Sequence, residues 1–338
     1  MAKVAINGLG RIGRATFKII LDTPDLELVA VNDLIPIPNL VYLLKYDTVY
    51  GRYGKSVEAT GNGIRVDGKE YRIFSEKDPE KLPWGELGID IVFECTGRFT
   101  DRAGMEKHLK AGAGRVFLST TSKSGDVVTV VHGVNAAGPD ERLVSLASCT
   151  TNCITPVVEV IGRRIGIKKA IMTTIHAYTS SQAIVDGPSK KFRRGRAGAA
   201  NLVPTSTGAA TATTRVLTQY QGKFNGEAVR APVPVGSIAD IVLITDRPTT
   251  VEELQGIFRE ESASERYQGI LGAAEDQTVS SDIIMDSRAS VVDLEMIQVV
   301  DGDLVKVMSW YDNEWGYSSQ MVREAARLAK ESHEPAAV

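Results

Sequence analysis

The chain has 338 residues, and its 39 lysine and arginine residues against 42 aspartate and glutamate residues give a formal net charge of −3. This balance offers no electrostatic attraction for nucleic acid or anionic lipid. With 43% hydrophobic and 24% charged residues, the composition is that of a globular protein and excludes disordered, collagen-like and disulfide-scaffold chains. At roughly 150 residues per domain, the length predicts about two domains.

The sequence carries no pattern typical of export, membrane insertion or metal binding. No stretch approaches the roughly 18 consecutive apolar residues of a membrane helix, and the N-terminus lacks a signal-peptide pattern. Cys95, Cys149 and Cys153 are too few for a disulfide framework, and no cysteine and histidine pair has zinc-ligand spacing. We therefore expect a cytoplasmic protein with no metal site, no nucleic-acid partner and no membrane partner.

The first 148 residues alternate strand and helix patterns. A β-type run at 3–7 stops at glycines, residues 11–21 have helical spacing of apolar side chains, and 27–32 form a second, almost wholly apolar strand. Further apolar runs continue this alternation at 89–94, 115–119 and 143–146. The rhythm predicts an α/β domain with a doubly wound parallel sheet over residues 1–148.

Residues 149–314 show a different pattern, which begins with a helix predicted at 151–164. Longer strands with fewer intervening helices follow at 169–178, 228–233, 238–245 and 304–311. They predict a second, α+β domain built on a mixed or antiparallel sheet. Segment 180–201 has a basic run and no sustained periodicity, so we expect a long ordered loop there. The polar end at 331–338 is expected to be frayed.

A glycine-rich turn separates the first predicted strand from the first predicted helix. Gly8, Gly10 and Gly13 fit the pattern G-x-G-x-x-G in this context, which is typical of a dinucleotide site. The first glycine makes the tight turn, the second admits the pyrophosphate, and the helix N-terminus favours its charge. Asp33, 20 residues after Gly13, suits the adenosine ribose hydroxyls and repels a 2′-phosphate, which predicts NAD over NADP. The alternative is a glycine-rich turn without a ligand.

Cys149 stands between a predicted strand and a predicted helix, in a polar Ser-Cys-Thr-Thr-Asn segment. Helix N-terminal N–H groups lower the pKa of a thiol, so this side chain is predicted to be tuned towards the thiolate. His176 follows 27 residues later, near the end of the next strand, and is the expected partner. A Cys/His pair beside a nicotinamide indicates that a thiolate adds to an aldehyde, hydride leaves to NAD, and a thioester remains.

Ordinary explanations compete with this interpretation. A lone cysteine at a helix start is more often a small core residue, and Cys153 is interpreted as structural. His108 and His132 are isolated and are expected to be surface or satisfied residues. The basic run at 190–196 is by default a solvated loop face, and the near-neutral net charge disfavours a nucleic-acid patch.

Two further groups of residues could bind phosphate near the thiol. Hydroxyl residues and a glycine at 205–208 precede a helix predicted at 209–217, which forms a second helix N-terminus suited to an anion. Arg194 and Arg230 are fork-shaped donors. Each feature alone is weak, because Ser or Thr before a helix is usually only an N-cap.

Five segments together resemble the phosphorylating glyceraldehyde-3-phosphate dehydrogenases over nearly the whole chain. They are Ile-Asn-Gly-Leu-Gly-Arg-Ile-Gly-Arg at 6–14, Ala-Ser-Cys-Thr-Thr-Asn-Cys at 147–153, Thr-Thr-Ile-His-Ala-Tyr-Thr at 173–179, Thr-Gly-Ala-Ala at 207–210, and Trp-Tyr-Asp-Asn-Glu-Trp-Gly-Tyr at 310–317. The segment around Cys149 is highly specific to that family.

The resemblance implies reversible, NAD-dependent oxidative phosphorylation of D-glyceraldehyde 3-phosphate to 1,3-bisphosphoglycerate, with inorganic phosphate as the second substrate. Cys149 would be the nucleophile and His176 its activating base. The implied architecture is a Rossmann NAD domain at 1–148, a catalytic domain at 149–314 and a final helix at 315–330 packed on the NAD domain. The implied assembly is a homotetramer, with the long loop at a subunit interface.

The resemblance also implies binding roles for individual residues. Those that would contact substrate or phosphate are Ser148, Thr150, Thr179, Arg194, Thr207, Gly208 and Arg230. Those that would bind the cofactor are Gly8, Gly10, Arg11, Ile12, Asp33, Lys77 and Ser119 along the dinucleotide and Asn313 on the nicotinamide amide.

Departures from the family pattern remove no group essential to the mechanism. Ser181 stands where many bacterial members carry Asp, 187–189 is Gly-Pro-Ser instead of Leu-Pro-His, and 234–237 lacks a common Asn. Two alternatives stay open. One is an erythrose-4-phosphate dehydrogenase, which the intact segment at 207–210 disfavours. The other is a catalytically idle NAD-binding interaction protein, which the Cys149 and His176 pair disfavours.

Overall fold

The computed structural model describes residues 1–331, so the predicted frayed end lies outside the described residues except for Glu331, which ends the last helix. The chain forms two compact units. Unit 1 contains Met1–His132, Ala137–Ala147 and the residues from Ser318 onward, and unit 2 contains Gly133–Ala136 and Ser148–Tyr317. No helix within 1–331 is both long enough and apolar enough to cross a membrane.

Unit 1 is built on a sheet of nine strands. Its elements are β1 (Ala2–Asn7), α1 (Arg11–Ile20), β2 (Leu26–Asn32), α2 (Ile37–Lys45), β3 (Tyr46–Asp47), β4 (Gly51–Arg52), β5 (Val57–Ala59), β6 (Gly63–Val66), β7 (Lys69–Phe74), α3 (Trp84–Leu87), β8 (Ile91–Glu94), α4 (Arg102–Lys110), β9 (Arg115–Leu118), β10 (Val128–Thr129) and β11 (Leu143–Ser145). The strand order in the sheet is β10-β11-β9-β8-β1-β2-β7-β6-β5, and β3 pairs with β4 separately.

The pairing in this sheet is parallel from β10 through β7, and β6 alone runs in the opposite direction, pairing antiparallel with both β7 and β5. The chain fills β2 and β7 on one side of β1, and then β8, β9 and β11 on the other. The predicted doubly wound parallel sheet is therefore confirmed. In such sheets ligands bind at the carboxyl edge, where the strand order reverses.

Unit 2 is built on a mixed sheet of seven strands, which confirms the predicted fold class of this part. Its elements are α5 (Cys149–Arg164), β12 (Ile167–Ala177), β13 (Val203–Ser206), α6 (Ala209–Val216), β14 (Phe224–Ala231), β15 (Ser237–Thr245), α7 (Val251–Ser262), β16 (Leu271–Ala274), β17 (Ser290–Val300), β18 (Leu304–Tyr311) and the start of α8 (Trp315–Glu331). The strand order is β13-β14-β12-β15-β18-β17-β16. Segment 180–201 contains one 3₁₀ turn, Phe192–Gly195, and otherwise no helix or strand.

The core of unit 2 lies between one face of this sheet and helices α5 and α7. Along β15 every second residue is buried, as expected for a strand with one face on a core. Ile154 and Val157 of α5 and Leu254 and Phe258 of α7 are fully buried in the same apolar cluster. This packing fixes the start of α5 relative to the strands of the sheet.

We expect Phe258→Ala to lower the free energy of unfolding by about 3–5 kcal/mol, because it leaves a cavity in a fully buried site. Gly256→Ala on the exposed side of the same helix is the matched control. A Cβ at Gly256 meets no atom within 4 Å, so alanine should stabilise the helix by about 0.5–1 kcal/mol. Urea unfolding followed by circular dichroism measures both changes, and equal midpoints for the two variants would contradict the assigned packing.

Candidate active site

The carboxyl edge of the parallel sheet brings together the predicted cofactor residues of unit 1. Gly8 follows β1, Asp33 follows β2, Lys77 lies three residues beyond β7, and Ser119 follows β9. Because these strands are parallel, their carboxyl ends share one edge of the sheet. This is the edge at which open α/β sheets bind ligands.

Glycine occupies each of the three positions of this turn for a different structural reason. Gly8 has φ +96°, and a Cβ there would lie 2.9 Å from the backbone nitrogen of Thr96. A Cβ at Gly13 would lie 1.8 Å from the carbonyl oxygen of Gly8. At Gly10, the N-cap of α1, a Cβ would meet nothing within 4 Å. The backbone of the turn is therefore tightly packed at Gly8 and Gly13, whereas space is left beside Gly10. This space fits the close approach of a pyrophosphate.

Asp33 braces this turn. Its Oδ2 accepts a hydrogen bond from the backbone N–H of Leu9 at 2.6 Å, and its Oδ1 accepts one from the N–H of Ile35 at 2.8 Å. A carboxylate has about four acceptor sites, so it can still accept ribose hydroxyls. Arg11 and Ile12 form the first turn of α1, and the Arg11 guanidinium is held by Asp47 at 2.5 Å. Its side chain is thus engaged within unit 1.

Cys149 is the first residue of α5, which begins two residues earlier than predicted. The Ser148 side chain caps the helix by accepting the N–H of Thr151 at 3.1 Å. The hydroxyl of Thr150 is buried and lies 2.9 Å from the hydroxyl of Tyr311. The capped helix start holds the half-buried thiol at a fixed position.

The thiol and the predicted imidazole are in contact. Cys149 Sγ lies 3.4 Å from Nε2 of His176, which is the penultimate residue of β12 and is buried. The parallel register of β12 with β14 sets Arg230 opposite His176. Nη1 of Arg230 lies 2.6 Å from His176 Nδ1 and 3.0 Å from the carbonyl oxygen of Ala177. The same carbonyl is 2.7 Å from Nδ1.

These contacts give the imidazole two alternative tautomers. Nδ1 can donate its proton to the Ala177 carbonyl, which leaves Nε2 free to accept the proton of the thiol. Alternatively, Nδ1 accepts from Arg230, and Nε2 then carries the proton and donates to sulfur. One nitrogen cannot do both, so the position of the Arg230 guanidinium determines whether His176 can act as a base.

Burial and charge act in opposite directions on the thiol. Burial raises the pKa of Cys149, whereas the Arg230 charge and the Thr150 backbone N–H lower it. The predicted effect of the helix N-terminus is present, but burial outweighs it. Burial also lowers the pKa of His176 to about 3, and the Arg230 charge acts in the same direction. The imidazole is therefore neutral near pH 7.

Arg230 has an unusual vacant donor. Its buried Nε–H has no hydrogen-bond partner among the described residues. Burial lowers the pKa of this guanidinium, and the charge of Arg194 lowers it further. A buried donor without an acceptor is costly, and two arginines that repel each other add to that cost. Both costs are relieved by an anion with several acceptor oxygens, such as phosphate.

Arg194 lies within a second group of polar residues. Its Nε donates to the Thr205 hydroxyl at 3.0 Å, and its Nη1 lies 3.5 Å from the hydroxyl of Ser181. Ser181 is in turn 2.9 Å from the hydroxyl of Thr179. The structure therefore brings Arg194 and Thr179 together through Ser181, one of the positions that depart from the family pattern.

Thr207 and Gly208 precede α6, as predicted. The Thr207 hydroxyl accepts the N–H of Ala209 at 3.2 Å, and Gly208 is the N-cap residue. A Cβ at Gly208 would meet nothing within 4 Å. The backbone here is open to a ligand on the side where a side chain would stand.

Asn313 is buried two residues after β18, and its Oδ1 accepts the hydroxyl proton of Ser237 at 2.9 Å. The Ser237 oxygen also accepts the N–H of Ala177 at 3.1 Å, so it links Asn313 to the end of β12. The Asn313 carbonyl oxygen is thereby fixed, which leaves the orientation of its amide N–H₂ group defined.

Sequence reasoning missed Ser237 and Tyr311. The Tyr311 hydroxyl lies between those of Thr150 and Thr174, at 2.9 and 2.8 Å, and its ring packs edge-on to His176. Both residues enter the site only through strand register, which pairs Ser237 with Tyr311 and Ile238 with Ile175. No local spacing pattern reports that register.

The described part of the chain contains no group of three or more histidine, cysteine, aspartate and glutamate side chains arranged to hold a metal ion.

Comparison with known proteins agrees across both units. The family model described as glyceraldehyde 3-phosphate dehydrogenase, NAD binding domain, matches residues 2–102, and the one described as the C-terminal domain of the same enzyme matches 148–313. The chain is 46% identical to the glyceraldehyde-3-phosphate dehydrogenase of Clostridium pasteurianum, over 98% of this chain and 99% of that protein. It is also 46% identical to that of Geobacillus stearothermophilus, over 97% and 98%. Glyceraldehyde-3-phosphate dehydrogenase 2 of Streptomyces avermitilis is 47% identical, over 95% and 96%.

We expect Arg230→Gln to shift the pH profile of Cys149 alkylation to higher pH. Removal of this cation raises the pKa of the thiol, and the thiolate is the form that reacts. The measurement is the rate of inactivation by iodoacetamide between pH 5 and 10. Arg193→Gln makes the same charge change on an exposed arginine of the neighbouring loop and should leave the profile in place. A shift to lower pH in Arg230→Gln would contradict the assigned effect.

Proposed function

The chain belongs to the glyceraldehyde 3-phosphate dehydrogenase family and is an NAD-dependent oxidoreductase of glycolysis, and we propose that its reaction runs through Cys149 and His176. The substrates of this family are glyceraldehyde 3-phosphate and phosphate. The observation that carries the proposal is the 3.4 Å contact of Cys149 Sγ with His176 Nε2, beside an arginine with a buried, vacant donor. A nucleophile, a base and an anion-binding group converge there.

The cofactor would be held by the carboxyl edge of the unit 1 sheet. The residues proposed to bind it are Gly8, Gly10, Arg11, Ile12, Asp33, Lys77 and Ser119, with Asn313 on the nicotinamide amide. NAD supplies the acceptor for the hydride that leaves the substrate carbon. The space beside Gly10 and the remaining acceptor sites of the Asp33 carboxylate fit the dinucleotide.

In the first step, Cys149 adds to the aldehyde. His176 Nε2 takes the thiol proton as sulfur bonds to the carbonyl carbon, and the imidazolium returns that proton to the aldehyde oxygen. The product is a hemithioacetal, and His176 is neutral again. The return of the proton restores the neutral imidazole, which is the form that burial favours.

The second step oxidises this hemithioacetal to a thioester. As hydride leaves the carbon, Nε2 of His176 takes the hydroxyl proton, and the C=O bond forms. A phosphate oxygen then attacks the thioester carbon, Cys149 sulfur leaves, and the imidazolium protonates it. The product is the acyl phosphate 1,3-bisphosphoglycerate, and the same atoms run the reverse reaction.

We propose that Arg230 and Arg194 hold the two phosphate groups, with Ser148, Thr150, Thr179, Thr207 and Gly208 as further contacts. A phosphate on the vacant Nε of Arg230 would draw the guanidinium away from His176 Nδ1. Nδ1 then donates to the Ala177 carbonyl, which leaves Nε2 as the base that the reaction needs. Phosphate binding would in this way prepare the imidazole.

The direct test is NADH formation from glyceraldehyde 3-phosphate and NAD, with and without inorganic phosphate. We expect fast turnover only with phosphate, much slower turnover with NADP, and loss of at least a thousandfold in Cys149→Ser. That variant should still bind NAD, because the cofactor residues of unit 1 are unchanged. Near-normal turnover of Cys149→Ser, or faster turnover of erythrose 4-phosphate, would contradict the assigned nucleophile or substrate.

We propose a homotetramer in the cytoplasm as the working form. Ile184 and Phe192 in the long loop are each 89% exposed, and Ile171 on the outer face of the mixed sheet is 60% exposed. Exposed apolar side chains in such number support burial against further copies of the chain. Three free thiols are compatible with a reducing compartment.

We expect the protein to run at four times its 36.5-kDa chain mass in light scattering after gel filtration. Phe192→Asp should give a smaller species, because it places a charge in a buried apolar contact. Ala59→Asp adds the same charge at an exposed position of edge strand β5 and should not change the mass. A monomeric wild-type protein at micromolar concentration would refute the assembly.

A further inference from the structure

A row of buried polar side chains crosses the carboxyl edge of the parallel sheet. Glu94, Asn7 and Asn32 end three adjacent strands, β8, β1 and β2, and the register sets Asn7 opposite both others. Nδ2 of Asn7 donates to Oε2 of Glu94 at 2.6 Å, and Nδ2 of Asn32 donates to Oδ1 of Asn7 at 2.7 Å. All three side chains are at most 4% exposed.

The row is tied at both ends to neighbouring loops. The Asn32 amide exchanges two hydrogen bonds with the backbone of Glu76, at 2.8 and 2.9 Å. Oε1 of Glu94 accepts the N–H of Thr96 at 2.8 Å, and also its hydroxyl. Among the connected residues, Asn7, Asn32 and Glu76 stand directly before residues proposed to bind NAD, which are Gly8, Asp33 and Lys77.

His108 of α4 completes this arrangement from behind the sheet. The histidine is fully buried, its Nε2 is 3.0 Å from Oε2 of Glu94, and its Nδ1 is 3.1 Å from Nε1 of the Trp84 indole. An indole N–H can only donate, so Nδ1 accepts and carries no proton. Nε2 therefore carries the proton and donates it to Glu94. The contacts determine the tautomer, and the imidazole is neutral.

Glu94 thus receives only donors, from Asn7, His108 and Thr96. A buried carboxylate with satisfied acceptors is rigid, and loss of one donor is costly because the charge stays buried. Trp84, a fully buried side chain, orients His108, and His108 orients Glu94. This series of hydrogen bonds holds each side chain in turn, from Trp84 to Glu94 at the edge of the sheet.

We propose that His108 is a positioning residue for NAD binding, which acts through Glu94 and the row of Asn7 and Asn32. It holds the ends of β8, β1 and β2 so that Gly8 and Asp33 present the geometry that the dinucleotide requires. This inference rests on the proposed roles of those two residues. It differs from the expectation that His108 is merely a satisfied histidine.

The test compares His108→Leu, His108→Gln and Trp84→Phe in the full-length protein. We expect His108→Leu to raise the calorimetric Kd and the KM for NAD by tenfold or more, because Glu94 loses a donor. kcat should stay within about twofold, since Cys149 and His176 are unchanged. In His108→Gln the amide can donate to Glu94 and should restore most of the affinity. Trp84→Phe should fall between the two.

The matched control is His132→Leu, which removes another histidine and carboxylate contact of unit 1, that of His132 Nδ1 with Glu324 at 2.8 Å. It should lower the unfolding midpoint and leave the Kd for NAD unchanged. The proposal is overturned if His108→Leu loses stability alone, if kcat falls at constant KM, or if His108→Gln binds as weakly as His108→Leu. If His108→Leu does not fold, the proposal is tested by the NAD affinities of the other proteins. Affinity should fall from wild type to His108→Gln and then to Trp84→Phe, and any other order would overturn the proposal.

Calorimetry of NAD binding separates this proposal from the proposed chemistry. Cys149→Ser tests the nucleophile by turnover and should leave NAD affinity intact, whereas the His108 variants change affinity and leave turnover at saturation intact. A failure of either result therefore identifies which of the two proposals is wrong.

Discussion

The candidate active site depends on the register of one strand, β12, with its two neighbours. Parallel pairing with β14 sets Arg230 against His176, and antiparallel pairing with β15 brings Ser237 to the Ala177 N–H. A shift by one residue would turn the imidazole to the other face of the sheet. Met172, Thr174 and His176 of β12 are buried in alternation, so such a shift is costly because it would turn Met172 out of the apolar core. Core packing therefore determines the geometry of the thiol and the imidazole.

Much of the local structure could be predicted because its signals are local. The β1, turn and α1 unit follows from glycines between two periodic segments, and the start of α5 follows from the Ser148 cap. Helix α7 was missed although Thr250 caps it and acidic residues fill its first turn. Helix α2 was missed because prolines stand at its start, in a segment that reads as a plain apolar run.

The contacts that shape the chemistry were beyond the reach of sequence patterns. The contact of the Arg11 guanidinium with Asp47, 36 residues away, follows from no spacing pattern. Tyr311 and Ser237 reach the site through strand pairing over large sequence separations. The vacant donor of Arg230 depends on what surrounds it in three dimensions. Spacing predicts which residues occur near a strand end, but not which donors and acceptors remain unpaired.

The buried hydrogen-bond network around Glu94 in unit 1 is fully satisfied, whereas that around Arg230 in unit 2 leaves a donor unpaired. The first arrangement suits a supporting role and the second suits a ligand-binding role. Around Glu94 each contacting group donates, the histidine is neutral and its tautomer is determined, so the network has one low-energy arrangement. Around Arg230 a donor is left over and one imidazole nitrogen faces both a donor and an acceptor, so two arrangements compete. A ligand can shift an equilibrium only if it interacts differently with the two arrangements. Under the proposed function a phosphate at Arg230 would do so, because it would satisfy the vacant donor in the arrangement that leaves Nε2 of His176 free to accept a proton.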